Sequence, residues 1–343
     1  MTSQDSSKRS VTLHAFLSTL RQFWILPVFG AVFFLLTIPG FLILSHGPAE
    51  GWYALLVPGG GNYLTIALPL FSILTALSLF GFLFRSRSSA VYLAVGVSRG
   101  KLFLIRYFIG IITLLIAYLP AMLTVLLLNI QACGYRAFGV QCWAFVTIGF
   151  LAMMLAVYTL CVLVCTRCGT LTEGILYTLL LLAAPNLIAW SAGTLSRFLL
   201  LGSPVDAYGT LFWSGMSGAI DLNESYVSSL FERSAPFGPL TMMLKTGGQF
   251  EKILYLSPMD AELARLAHPQ NWWMLLGWLV VTVISALLAF FLFRSRKGEQ
   301  AGFSGMCPAL GMGASVLLGG FVFVLCVRLL PLPTALTLLI AAV

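Results

Sequence analysis

WAFVTIGFLAMMLAVYTLCVLVC, residues 143–165, contains no Asp, Glu, Lys or Arg. As a helix it would reach roughly 34 Å, at 1.5 Å per residue, and so would cross the ~30 Å hydrocarbon core of a bilayer. Six more apolar runs have this character, at about 23–45, 63–84, 103–128, 171–192, 272–293 and 309–329. The hydrophobic fraction is 59% and the charged fraction 9%, a composition that no soluble globular fold requires. The expected fold is therefore an all-α polytopic membrane bundle of about seven transmembrane helices.

Basic residues set its orientation. Lys8, Arg9 and Arg21 precede the first span, whereas 46–62 contains no Lys or Arg. Arg85, Arg87, Arg99, Lys101 and Arg106 follow the second span, Arg167 the fourth, and Arg294, Arg296 and Lys297 the sixth. Positive residues collect on the inner side, so the N-terminus is expected to be cytoplasmic. Arg136 and the basic residues of 193–271 fall on the outer side, but that long connection counts little in the rule. The net charge of +8 then belongs to a face that meets anionic lipid or an acidic partner. Nucleic acid is not an expected partner, because the cations form no long run and stand beside spans.

Residues 1–22 read as a tail plus an interfacial helix. Leu13, Phe16, Leu17 and Leu20 recur at helical spacing, with Ser10 as a cap; simple extension of the first span is the plainer alternative. A cleaved signal peptide fits poorly, since the first run is about twice a signal core in length. The connection 193–271 is expected outside, partly helical and too small and Gly/Pro-rich for a separate domain. Asn223-Glu224-Ser225 within it fits a glycosylation acceptor, a triplet frequent by chance.

Catalytic constellations are sparse. His14, His46 and His268 fall in three different connections, which leaves a zinc hydrolase without support. Gly96-Val97-Ser98-Arg99-Gly100-Lys101-Leu102 lacks the early glycine and the hydroxyl after the lysine that a phosphate loop needs. No cofactor or metal site is expected. Glu173 at the start of the fifth span belongs to a capping box, Thr170-Leu171-Thr172-Glu173, a structural role preferred over a functional carboxylate. Cys165 and Cys168 form a lone CxxC, read as apolar filler. Cys133 and Cys142 share an outer connection, where they would either pair in an oxidising exterior or merely flank two spans.

The stretch after the second span runs Phe84-Arg85-Ser86-Arg87-Ser88-Ser89-Ala90-Val91-Tyr92-Leu93-Ala94-Val95-Gly96-Val97-Ser98-Arg99-Gly100-Lys101-Leu102-Phe103. With Phe293-Arg294-Ser295-Arg296-Lys297-Gly298-Glu299-Gln300-Ala301-Gly302 after the sixth, it resembles the permease subunits of bacterial type 2 ATP-binding-cassette transporters. The resemblance covers about 10–302 in architecture and some thirty residues in motif. It implies a six-helix permease domain at 23–299 that carries no nucleotide site, in a cell-membrane protein that is not itself an enzyme. A separate cytoplasmic ATPase would bring ATP and magnesium, and a second permease subunit would complete the pathway. The ATPase-contact loop would comprise Arg87, Ser88, Tyr92, Ser98, Arg99 and Lys101; a second cytoplasmic motif would comprise Arg294, Arg296, Lys297 and Glu299. Residues 300–343 depart from the pattern: the ten residues after Pro333 are too few for another span, so this end reads as a truncated permease or a kinked terminal helix.

Two other classes fit the composition. A membrane sensor or scaffold would bind a ligand through 193–271 and a partner through the inner face. An ion-coupled transporter would need ionisable residues in mid-span, and those positions carry none.

Overall fold

The computed structural model describes residues 16–45, 58–85, 98–133, 137–199, 269–296 and 308–329. These are helical throughout, apart from short turns and segment ends, and among them no strand occurs. A short helix α1 (Phe16–Phe23) turns by 47° into α2 (Ile25–Ser45). Then follow α3 (Pro58–Phe80) with a 3-10 turn at its end (Gly81–Phe84), α4 (Arg99–Cys133), α5 (Ala137–Arg167), α6 (Leu171–Leu199), α7 (Pro269–Ser295) and α8 (Pro308–Leu329). Each expected span coincides with one of α2 to α8. Three of these helices contain stretches long and apolar enough to cross a membrane, Ala67–Phe84, Arg99–Leu128 and Thr147–Arg167, and the bent pair α1–α2 makes a fourth. The chain is an all-α membrane bundle.

Helix α5 is its axis: 72% of its span is buried, against 39% for α4. It packs on α3, α4, α6 and α7, while α2 lies along α4 and α8 touches mainly α6. Close approach at two glycines makes this possible. A Cβ on Gly110 of α4 would collide with the Tyr158 hydroxyl of α5, and one on Gly30 of α2 would lie 2.7 Å from the Ala117 Cβ of α4. Tyr158 of the same chain fills the space beside Gly110, as small residues allow between close-packed membrane helices.

The polar atoms in the bundle are mostly consumed locally. Hydroxyls of Ser72, Thr75, Thr113 and Thr178 return to the carbonyl four residues earlier, which satisfies them without an aqueous partner. Between helices, the Tyr107 hydroxyl meets Thr159 Oγ1 at 2.9 Å, Tyr158 donates to the Tyr107 carbonyl at 3.2 Å, and Trp143 donates to the Met122 carbonyl at 2.8 Å. All three contacts tie α4 to α5.

Several expected boundaries move. Helix α4 begins at Arg99 and takes Arg106 into its second turn, so Arg106 is part of a span rather than of the preceding connection. The connection around Cys133 and Cys142 that was expected outside shrinks, because Cys133 ends α4 and Cys142 lies in the first turns of α5; the side chains of both lie outside the described residues. Helix α6 runs to Leu199 and so takes the first residues of 193–271; residues 200–268, Asn223 included, lie outside the described residues. In α1, Leu17 and Leu20 are exposed and Phe16 packs against the core. That arrangement suits a helix whose apolar face meets lipid; Leu13 lies outside the described residues.

Candidate functional site

One end of the bundle gathers the close of α3, α5 and α7 and the start of α4 and α6. Helix C-termini leave carbonyls without amide partners and carry the negative end of the helix dipole, so cations are favoured there. Two buried arginines occupy this end. Arg296, the residue after α7, donates from Nη1 to the Cys165 carbonyl at 2.7 Å, and from Nη2 to the Cys168 carbonyl at 2.8 Å and the Leu83 carbonyl at 3.0 Å. It thus joins the end of α5 to the turn that ends α3. Its own carbonyl accepts from Arg99 Nη1 at 2.7 Å, which adds the start of α4. Burial lowers the Arg296 pKa from its ordinary value, with the nearby Cys165 and Cys168 opposing the shift. Arginine starts so high that the group keeps its charge at neutral pH.

Arg106 grips the same turn from the other side. Its guanidinium carbon lies 3.9 Å from the centroid of the Phe82 ring, and Nη1 donates to the Leu79 carbonyl. Desolvation strengthens such cation–π contacts, and Arg106 is only 2% exposed. Phe82 and Phe103 each pack against Phe293 of α7, at 6.4 and 5.4 Å. Phe84 lies against α6, with its ring edge 3.0 Å from where a Gly174 Cβ would stand. The turn Gly81–Phe84 is therefore held from α4, α6 and α7 together.

Against this frame the expected site residues divide. Ser98, Arg99 and Lys101 are exposed, as is Arg294. Arg296, expected within the second cytoplasmic motif, is buried, 6% accessible, with its guanidinium directed at carbonyls of its own chain. A partner protein has no access to that group. Arg87, Ser88, Tyr92, Lys297 and Glu299 lie outside the described residues. Leu83 and Cys168 were missed as site residues, because they act through backbone carbonyls that every residue owns.

At the start of α6, Thr170 Oγ1 accepts from the Glu173 amide at 3.4 Å, which supplies the backbone half of the capping box. Cys161, Cys165 and Cys168 are buried. Among the described residues no group of His, Cys, Asp or Glu is arranged to hold a metal ion. No protein-family model, no curated protein and no solved structure matches this chain.

Proposed function

We propose that this chain is the membrane-spanning subunit of an ATP-driven transporter, docking a separate cytoplasmic ATPase through the connection that separates α3 from α4. The observation that carries this reading is the Arg296 joint. It holds Leu83, just before that connection, through its side chain, and Arg99, just after it, through its carbonyl. A push on the connection would be delivered at once to α3, α4, α5 and α7, as a coupling element requires. Arg85, Ser98 and Arg99 are exposed where the connection leaves and re-enters the bundle, and would meet an acidic or polar groove of the ATPase. In this reading the arginine end is cytoplasmic, the membrane is a bacterial cell membrane, a second permease subunit completes the pathway, and ATP and magnesium stay on the partner. Cargo is a hydrophobic molecule such as a lipid, peptide or drug-like compound.

The experiment is affinity capture of the full chain from its native membrane, followed by ATP turnover of the captured complex. An ATPase subunit should copurify and hydrolyse ATP, and Arg85→Glu should reduce capture several-fold, by more than any change in the thermal midpoint of the chain accounts for. Arg99→Glu should lower both, since it also breaks the bond to Arg296. Hydrolysis that follows the chain alone through purification would place it in a different class. Capture of a non-ATPase partner would favour a scaffold.

A further inference from the structure

The start of α4 and the end of α7 meet where Gly100 lies beneath the Phe290 ring, whose edge is 3.2 Å from the position of a Gly100 Cβ. Phe103 reinforces the seam, 5.8 Å from Phe290 and 5.4 Å from Phe293. Beside it, α4 exposes Lys101, Leu104 and Phe108, and α7 exposes Leu287, Phe291 and Arg294. Both sets follow the three-and-four spacing of a helix face. The two helices run antiparallel, so the sense of side-chain rotation reverses between them. Starting from the contacts at Gly100 and Phe290, advancing around each helix leads to the same flank of the seam. The result is a groove floored by Phe290, walled by Leu104, Phe108, Leu287 and Phe291, and headed by two cations at its basic end.

We infer that this groove seats an anionic glycerophospholipid, its phosphate between Lys101 and Arg294 and its acyl chains along the α4 and α7 walls. Charge complementarity selects this occupant. The walls are apolar over the helical turns next to the cations, as any lipid would require, and the exposed cations stand at the basic end of the bundle, where at headgroup level each basic residue would favour anionic lipid. A free phosphate would leave the walls unused, and a zwitterionic lipid would bring its own cation against Lys101 and Arg294. The inference does not depend on an ATPase partner and can fail or hold separately from the transporter reading.

The test is native mass spectrometry of the purified full chain, titrated in detergent with phosphatidylglycerol or phosphatidylcholine of identical chains. Phosphatidylglycerol should be retained about tenfold better, the scale expected from one to two basic residues at the surface. Lys101→Gln with Arg294→Gln should bring the two lipids to parity, whereas Arg167→Gln, at the exposed end of α5 and outside the groove, should leave the preference intact. Narrowing the groove with Leu104→Trp should weaken retention of both lipids. Equal retention by the wild type, or an equal loss on Arg167→Gln, would reduce the effect to diffuse charge and overturn the assignment. So would disulfide cross-linking of Phe108→Cys to a second copy of the chain in native membranes, because the groove would then be a protein interface.

Discussion

Arg296 draws all three of its bonds from carbonyls, and carbonyls do not titrate. Replacing it with Met leaves three helix-end acceptors unfilled at a buried site, with an expected loss on the order of 2–5 kcal/mol. Lys, with one compact ammonium in place of the planar fork, should recover only part of this. Thermal unfolding in detergent would rank the wild type, Arg296→Lys and Arg296→Met in that order, and equal midpoints would show that the joint carries no stability. The sign of the pH effect also follows. Burial lowers the folded-state pKa, so the unfolded chain keeps its proton to higher pH, and the pH dependence lies wholly in the alkaline range between the two values. Between pH 5 and 8 the gap between wild type and Arg296→Met should stay constant. A second residue-scale expectation concerns Gly110: Ala there overlaps the Tyr158 hydroxyl and should destabilise by about 1–3 kcal/mol, the usual cost of overpacking. Tyr158→Leu should relieve most of that cost when combined with it. No relief in the double variant would mean that the cost arises elsewhere.

At the scale of single helices, the start of α6 and the start of α4 contrast. Thr170 caps α6 through a long 3.4 Å bond, so Thr170→Ala should cost about 0.5–1 kcal/mol, the lower part of the usual capping range. Thermal unfolding of the purified chain would show it, and a loss above about 2 kcal/mol would mean that Thr170 does more than cap. Thr170 and Glu173 were legible in sequence because the capping box is a local pattern. The true start of α4 was not. Arg99, Lys101 and Arg106 look like surface when charge alone is counted, and only the fold shows Arg106 lying on Phe82 and the Leu79 carbonyl. The burial of Arg296 was unreadable for the same reason. A cation after a span is usually solvated, and its carbonyl partners at 83, 165 and 168 leave no mark in the residue string.

For the whole molecule, apolar run length predicted α2 to α8, since the bilayer imposes length directly on sequence. Packing order was not readable: nothing in the string makes α5 the axis or sets Gly110 against Tyr158. The expected orientation rests on the basic residues and can be tested. In a background without native cysteines, Ser98→Cys should resist an impermeant thiol reagent on intact cells and react after permeabilisation, while Asn223→Cys should react from outside. Labelling of position 98 from outside would invert the topology.

The Arg296 bonds also impose an order in time. They link residues 128, 131 and 213 positions apart, and the guanidinium that closes them is made only after α7. While the chain is being synthesised, α3 to α6 are therefore present with the carbonyls of Leu83, Cys165 and Cys168 still awaiting it. Any chain shorter than 296 residues lacks all three bonds, so the closing of the arginine end is a late step of synthesis.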